Sequence, residues 1–212
     1  MSRRGDASGD RPEDDSTAGY AEQGDALARQ YESVRFTDVH GPVLHLIPRT
    51  PGVVLDIGAG TGRDAAALAA MGHRVVAVEP TGELRIRAAT LHPSPRIEWV
   101  DDRLPELSRI TGRGESFDVV LLTAVWMHLD LPQRQQAMPT VAGLLQRGGA
   151  LLLSLRHGPV PLGRRMFEVS ADETIQLAGE AGLHVVVRAE DQADFFCRPH
   201  VRWTSLGFTR HS

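Results

Sequence analysis

The 212-residue sequence contains no lysine, because all 23 of its basic residues are arginine. The absence of lysine excludes a P-loop lysine, a Schiff-base lysine for pyridoxal phosphate and a Tyr-Lys reductase pair. Asparagine is also absent, which excludes N-glycosylation. The one cysteine, Cys197, excludes an intramolecular disulfide and a multi-cysteine zinc site. We therefore expect no metal site and a reducing, cytoplasmic location.

Long hydrophobic runs are missing as well. No apolar stretch reaches the roughly 18 residues that a membrane span requires, so we expect no membrane association. The formal net charge of -4 argues against nucleic acid as the main partner. Residues 1–18 lack an apolar region and are rich in Asp, Glu, Arg, Gly and Ser, which predicts a disordered tail. A single domain is expected over residues 19–212.

From residue 51 onward, apolar β-rich runs alternate with helical patterns, which predicts an α/β fold with a mostly parallel sheet. Five strands are predicted at 53–57, 74–78, 97–100, 117–122 and 150–155. Two more, at 183–189 and 201–208, are joined by a short connection, which favours antiparallel pairing. Weaker helical patterns at 20–31 and 38–47 predict a helical cover over residues 19–50. The loop at 157–169 is long enough to cover a site.

Three helix starts and one helix end have local signals. Thr61 with Asp64, and Ser170 with Glu173, are spaced as capping boxes. A helix is predicted from about residue 131, with a proline in its first turn, to the glycine pair at 148–149.

The first strand runs into the turn Gly58-Ala59-Gly60-Thr61-Gly62, where glycines let the backbone turn tightly and approach a ligand closely. The third glycine comes one residue earlier than in the dinucleotide fingerprint G-x-G-x-x-G, and Arg63 stands in its place. Nineteen residues after Gly60, Glu79 ends the second strand, where its carboxylate can accept hydrogen bonds from a ribose diol.

In order along residues 50–155, the segments VVLDIGAGTG, VVAVEP, IEWVDDRLPEL, FDVVLLTAVWMHL and LLQRGGALLLSL resemble the class I S-adenosylmethionine-dependent methyltransferases. The resemblance implies a Rossmann-like, seven-stranded, mostly parallel sheet flanked by helices. Its strand order would be 3-2-1-4-5-7-6, with the last strand antiparallel. It also implies a cofactor-binding core at 51–155, followed at 156–212 by a lid loop, a helix and terminal strands.

The same resemblance implies S-adenosyl-L-methionine as cofactor and S-adenosyl-L-homocysteine as product. Glu79 would hold the ribose hydroxyls, and Asp56 would orient the glycine turn. Either Asp101 or Asp102 would accept from the adenine N6. The implied cofactor-binding residues are Tyr31, Asp56, Gly58, Ala59, Gly60, Gly62, Glu79, Pro80, Asp101, Asp102, Arg103, Leu104 and Thr123.

Histidines after the fourth and fifth strands are candidates for a general base, because a histidine titrates near neutral pH. They are His128 and His157, and for His128 a purely structural hydrogen-bonding role is the alternative. Further candidates are Arg156, His40, Tyr20 and Tyr31. Four arginines could bind a carboxylate or phosphate of the substrate, or could simply be solvated: Arg164, Arg165, Arg198 and Arg202.

The resemblance to the methyltransferases therefore implies transfer of a methyl group to an O, N or S atom of a small molecule. The Asp/Asn-Pro-Pro-aromatic element of nucleic-acid amino-methyltransferases is absent after the fourth strand. The alternative is a non-catalytic module that binds S-adenosylmethionine or S-adenosylhomocysteine and acts through a partner. A nicotinamide reductase is disfavoured by the glycine spacing. Trp203 and Phe208 could form a dimer face or pack the sheet, so we expect a monomer or a homodimer.

Overall fold

The N-terminal part of the chain packs on the sheet as short helical pieces. A computed structural model describes residues 29–211, so the predicted tail at 1–18 and most of the predicted helix at 20–31, including Tyr20, lie outside the described residues. Residues 29–32 are helical. They are followed by α1 (Phe36–Val39) and a 3₁₀ turn (Leu44–Leu46). The helix predicted over 38–47 is therefore replaced by two short turns.

The sheet has seven strands: β1 (Val53–Ile57), β2 (Arg74–Val78), β3 (Ile97–Val100), β4 (Phe117–Leu122), β5 (Leu145–His157), β6 (Leu183–Ala193) and β7 (Arg202–Arg210). Their spatial order is β3-β2-β1-β4-β5-β7-β6. The neighbours from β3 to β5 pair in parallel, and β7 is antiparallel to both β5 and β6. The predicted fold class and strand order are confirmed. Because the carboxyl ends of parallel strands meet at one edge, the chain leaves five strands on the same side of the molecule.

Helices connect the strands and cover both faces: α2 (Arg63–Ala70), α3 (Gly82–Leu91), α4 (Ser108–Thr111), a 3₁₀ turn (Trp126–His128), α5 (Leu131–Leu144) and α6 (Ala171–Glu180). The Asp130 side chain caps α5 by accepting from the Gln133 N–H, and the Gln133 side chain accepts in return from the Asp130 N–H. This capping box fixes the start of α5, and a proline lies in the first turn as predicted. No helix within residues 29–211 is long and apolar enough to cross a bilayer.

The central strands are apolar at nearly every position, with Asp56 on β1 and Asp118 on β4 as exceptions, because both of their faces are covered. Leu55 and Ile57 pack into one core with α5 and α6, whereas Val54 packs into the other core with α2 and the N-terminal turns. The same alternation holds on β2, β4 and β5. A strand exposed on one face would alternate apolar with polar residues, so the continuous apolar runs follow directly from this two-sided burial.

The predicted end of α5 at the glycine pair is wrong. The helix ends at Leu144, and β5 begins at once because Leu145 pairs with Phe117 of β4. Gly148, at φ +75°, and Gly149 then form an irregularity within β5. A Cβ on Gly149 would lie 3.0 Å from the carbonyl oxygen of Phe117, so glycine permits this close approach of two backbones.

The two predicted capping boxes have different outcomes. The one at Thr61 and Asp64 is wrong: Gly62 is the N-cap of α2, at φ +87°, with no side-chain cap hydrogen bond. At α6, Ser170 accepts from the Glu173 N–H at 3.0 Å as predicted. The Glu173 carboxylate instead accepts from the buried Arg134 guanidinium at 2.7 Å, which joins α6 to α5.

Candidate active site

A cavity of about 240 Å³ opens at the carboxyl ends of β1, β2, β4 and β5. Strand order reverses between β1 and β4, and open α/β sheets bind ligands at this switch point. Of the sequence-predicted cofactor residues, all but Gly62 and Asp101 line the cavity: Tyr31, Asp56, Gly58, Ala59, Gly60, Glu79, Pro80, Asp102, Arg103, Leu104 and Thr123. The fold thus gathers residues from five separate turns into one site.

The glycines of the first turn serve two different purposes. A Cβ on Gly58 would lie 2.5 Å from Val125 Cγ2, and one on Gly62 would lie 2.7 Å from Trp99 Cη2, so both allow close packing. Gly60 is different, because the nearest atom to its added Cβ is the Gly58 carbonyl oxygen at 3.9 Å. Gly60 has a φ of +56° and lines the cavity. Its missing side chain therefore leaves open a space that a ligand can occupy.

Glu79 is held in the cavity wall by two backbone amides. Its Oε2 accepts from the Gly60 N–H at 2.9 Å and its Oε1 from the Thr81 N–H at 2.8 Å. The side chain is buried, and burial raises the pKa of Glu79 even though both amides favour the carboxylate. Each carboxylate oxygen can accept more than one hydrogen bond, so the pair remains able to bind two hydroxyl groups.

Asp64 joins the turn to the N-terminal cover, a role that the sequence patterns did not predict. Its Oδ2 accepts from Thr123 Oγ1 at 2.9 Å and lies 2.8 Å from His40 Nε2. Its Oδ1 accepts from Arg63 Nε at 2.7 Å. Burial alone would raise the pKa of Asp64, but His40 and Arg63 together lower it well below its usual value. Asp64 is therefore an anion that fixes three segments around the site.

Asp56, the acidic residue of β1, has an unsatisfied oxygen. Its Oδ2 is buried without a hydrogen-bond partner among the described residues, although the residue lines the cavity. Burial and the negative charge of Asp64 raise the pKa of Asp56 well above its usual value. A buried polar atom of this kind requires a partner, and a cationic ligand group would both satisfy it and favour its ionised form.

The structure separates the two aspartates after β3. Asp101 lies outside the cavity lining, and its carboxylate pairs with Arg85 at 3.1 Å. Asp102 lines the cavity. Its Oδ2 accepts from the Arg109 N–H at 2.8 Å and from the Ile110 N–H at 3.0 Å. The start of α4 thus fixes Asp102, which is the aspartate positioned to contact a ligand.

The two candidate histidines also separate. His128 lines the cavity and is buried, and its Nδ1 lies 2.8 Å from the carbonyl oxygen of Arg165. Because a carbonyl oxygen only accepts, Nδ1 carries the proton of the neutral ring and Nε2 is the basic nitrogen. Burial lowers the pKa of His128, and the positive charges of Arg164 and Arg156 lower it further. His157 lies outside the cavity lining, with Nε2 at 2.8 Å from Thr204 Oγ1.

The far wall of the cavity comes from the β6–β7 connection, of which the sequence patterns indicated Arg198 but not Asp194. Asp194 Oδ1 accepts from Trp203 Nε1 at 2.9 Å and from an Arg198 Nη2 at 2.6 Å. Arg198 stacks over the Phe196 ring, 5.1 Å from its centroid. The local signal that could have indicated Asp194 is its spacing of four residues from Arg198. The extension of β6 to Ala193 brings this wall over the sheet edge.

The other candidates divide between cavity and surface. Arg156, Arg164 and Arg198 line the cavity, whereas Arg165 pairs with Asp130 at 3.2 Å and Arg202 pairs with Asp191 at 3.1 Å. Phe208 is fully buried, and His40 is held by Asp64. Within residues 29–211, no group of three His, Cys, Asp or Glu side chains could hold a metal ion.

The fold and the site define a Rossmann-like α/β protein with its site at the switch point of the sheet. Residues 55–153 match the family model described as Methyltransferase domain. This match confirms the predicted methyltransferase family for residues 55–153, which are just under half of the chain.

Two curated relatives and one solved structure illustrate the similarity. An uncharacterized methyltransferase of Mycobacterium tuberculosis is 36% identical over 115 residues, which are 50% of this chain and 40% of that protein. A demethylmenaquinone methyltransferase of Clavibacter sepedonicus is 30% identical over 118 residues, 55% of this chain and 46% of that protein. The chain thus spans less than half the length of these relatives.

The solved structure is the 1,6-didemethyltoxoflavin-N1-methyltransferase of Burkholderia thailandensis, with a TM-score of 0.62. It is 22% identical to this chain, and the superposition covers 99% of both chains. At this identity the similarity establishes the shared fold alone.

Proposed function

We propose that this protein transfers the methyl group of S-adenosyl-L-methionine to an O, N or S atom of a small molecule, with S-adenosyl-L-homocysteine as product. The observation that carries the proposal is the Glu79 carboxylate, which accepts from the Gly60 N–H inside the cavity at 2.9 Å. The family match supports it. The Burkholderia structure, which contains S-adenosylhomocysteine and a small-molecule substrate, lends further support.

The residues present fit the cofactor. Glu79 would accept from the ribose hydroxyls, and the space beside Gly60 would admit the ligand close to the backbone. The orphaned Oδ2 of Asp56 would accept from the cationic amino group of the methionine moiety. Asp102, which lines the cavity, would accept a hydrogen bond from the adenine N6. We propose residues 51–155 as the cofactor-binding core within one domain, covered by the N-terminal segment and the loop after β5.

The bound cofactor supplies a methyl group on a sulfonium, which is already an activated electrophile. The protein therefore mainly has to hold the acceptor in line with the methyl carbon, and such positioning is worth roughly 7–11 kcal/mol. Methyl transfer would form a bond from the acceptor's lone pair to the methyl carbon and would leave the electrons of the broken carbon–sulfur bond on sulfur. Where the acceptor is protonated, His128 Nε2 takes its proton.

His128 suits that role because of its surroundings. Its Nδ1 is committed to the carbonyl of Arg165, so Nε2 holds the lone pair. Its lowered pKa keeps the ring neutral at pH 7, which is the form that accepts a proton. We assign the general base to His128 rather than to His157, since His157 lies outside the cavity lining.

Calorimetric titration with S-adenosylhomocysteine tests the cofactor assignment. We expect binding that Glu79→Gln weakens about tenfold to a hundredfold, because a charge-assisted hydrogen bond is worth roughly 1.5–3 kcal/mol. Glu83→Gln, an exposed glutamate in the first turn of α3, is the matched control and should bind as the wild type does. Absence of binding by the wild-type protein, or equal binding by the Glu79 variant, would refute the assignment. Binding without turnover on a panel of phenols, amines and thiols would favour the non-catalytic module.

A further inference from the structure

The two ends of the cavity differ in net charge. The cofactor end carries four acidic residues, Asp56, Asp64, Glu79 and Asp102, and two arginines, Arg63 and Arg103. The opposite end carries three arginines, Arg156, Arg164 and Arg198, with Asp194 as the acidic residue among the described residues there. A cationic ligand is favoured at the first end and an anionic one at the second, because each is attracted by the charges that line it.

Two of these arginines come from different segments and converge on one place. Arg156 is near the end of β5, opposite Trp203 on β7, and is only 8% exposed. Arg164 belongs to the loop after β5, and its Nη1 donates to the Tyr31 hydroxyl at 3.4 Å. A guanidinium has five N–H donors in a planar fork, so each arginine can keep its protein contacts and still bind an oxyanion.

The convergence point is His128. The loop that carries Arg164 is held against this histidine, because the carbonyl oxygen of the adjacent Arg165 lies 2.8 Å from His128 Nδ1. Arg156 lines the same cavity, and the positive charges of both arginines lower the pKa of His128. A small molecule whose carboxylate is bound by these arginines could therefore also contact His128, the proposed base. Binding of that group would therefore also position the rest of the acceptor against His128.

Aromatic rings complete this end of the cavity. Phe195, Phe196, Trp203 and Tyr31 all line it. The Tyr31 and Phe196 rings lie 6.1 Å apart at an interplanar angle of 41°. Trp203 is fixed by the hydrogen bond from its Nε1 to Asp194 at 2.9 Å. Rings fixed in this way bind flat apolar groups with little loss of side-chain freedom.

We propose that the methyl acceptor is an aromatic small molecule that carries a carboxylate or phosphate group, bound by Arg156 and Arg164. The hydroxyl, amine or thiol that receives the methyl group then lies next to His128. This inference rests on the proposed function, since it names the substrate class of the same site.

The experiment compares matched charged and uncharged ligands by calorimetry on the full chain saturated with S-adenosylhomocysteine. The pairs are 3,4-dihydroxybenzoate with catechol, 2-aminobenzoate with aniline, and phenyl phosphate with phenol. For at least one pair we expect the anion to bind at least about tenfold more tightly. The carboxylate and phosphate pairs distinguish the two kinds of anion, and either preference supports the proposal.

Substitutions of single arginines test whether the preference for anionic ligands arises in the cavity. Arg164→Gln should remove most of the difference between the charged and uncharged ligands while S-adenosylhomocysteine still binds. Arg202→Gln removes the same charge from an exposed arginine outside the cavity lining and should leave the difference intact. Arg156→Gln repeats the test from β5, and a thermal melt of each variant confirms folding.

Each failure has a separate meaning. If S-adenosylhomocysteine itself does not bind, the proposed function fails. If it binds but every anion binds no more tightly than its uncharged counterpart, or none binds, the acceptor proposal is overturned. A preference that Arg164→Gln and Arg156→Gln both leave unchanged would overturn it as well.

Discussion

The different roles of the glycines in the first turn can be tested with two alanine substitutions. Gly58 and Gly60 both have a positive φ, +73° and +56°, so an alanine at either position is strained by roughly 1–2 kcal/mol. Only at Gly58 does the added Cβ collide, at 2.5 Å from Val125 Cγ2. Overpacking of this kind costs roughly 1–3 kcal/mol more. Urea denaturation should therefore show Gly60→Ala destabilised by roughly 1–2 kcal/mol and Gly58→Ala by roughly 2–5 kcal/mol.

Although Gly58→Ala should lose more stability, Gly60→Ala should lose more affinity for the ligand. At Gly60 the nearest atom to the new Cβ is 3.9 Å away, so the methyl group enters the space reserved for the ligand. Overpacking against the ligand by roughly 1–3 kcal/mol corresponds to a loss of about 5- to 150-fold in affinity. Calorimetry with S-adenosylhomocysteine measures this loss on the folded variant. Wild-type affinity for Gly60→Ala would refute the placement of the ligand beside this glycine. Equal stability of the two variants would refute the packing argument for Gly58.

Three further predictions concern titration and packing. An NMR titration of His128 should give a pKa below 6.5, and Arg164→Gln should raise that pKa because a nearby positive charge is removed. Asp194→Asn should lower the free energy of unfolding at pH 7 by roughly 1–3 kcal/mol, while Asp191→Asn, at an exposed ion pair, should change it by less than about 1 kcal/mol. Because the pKa of Asp194 is lowered in the native state, its stabilisation is present above the unfolded carboxyl pKa and is lost as the pH falls, so the two proteins should converge in acid. Gly149→Ala should destabilise the fold by roughly 1–3 kcal/mol, because its Cβ would lie 3.0 Å from the Phe117 carbonyl oxygen.

Each of these predictions has a clear contrary result. A pKa of His128 at or above 6.5, or one that Arg164→Gln leaves unchanged, would contradict the electrostatics of the cavity. If Asp194→Asn is as destabilising in acid as at pH 7, the charge of Asp194 is not what stabilises the β6–β7 connection. If Gly149→Ala unfolds at the same urea concentration as the wild type, the irregularity in β5 accommodates a side chain.

Much of the fold was determined locally. Two-sided burial favours nearly continuous apolar strands, and this pattern is readable over Val53–Ile57 and Phe117–Leu122, each with a single aspartate, without any knowledge of the neighbouring strands. The glycine turn and Glu79 were likewise readable, because a fixed spacing places both at the ends of adjacent strands. These features depend on interactions between residues close together in the chain, or on the regular geometry of the strands themselves.

What depended on distant contacts was decided only by the tertiary structure. The glycine pair at 148–149 has the local signature of a helix end, but pairing of Leu145 with β4 continues the strand through it. Asp64 has the spacing of a capping residue, yet its carboxylate binds His40 and Thr123 from other segments. His128 and His157 each follow a strand end in the sequence, and only the structure separates them: His128 lines the cavity, whereas His157 lies outside its lining with Nε2 against Thr204 of β7.

The acceptor end of the site depends most strongly on contacts between segments that are far apart in the chain. Arg164 contacts Tyr31 across 133 residues of sequence, and the aromatic wall is held by Asp194 from a third segment. No periodicity or spacing encodes such a meeting, because it results from how separately folded pieces pack on the sheet edge. The sequence by itself therefore determined the α/β architecture and the cofactor turn. The shape and charge of the second half of the cavity came from the packing of segments far apart in the chain.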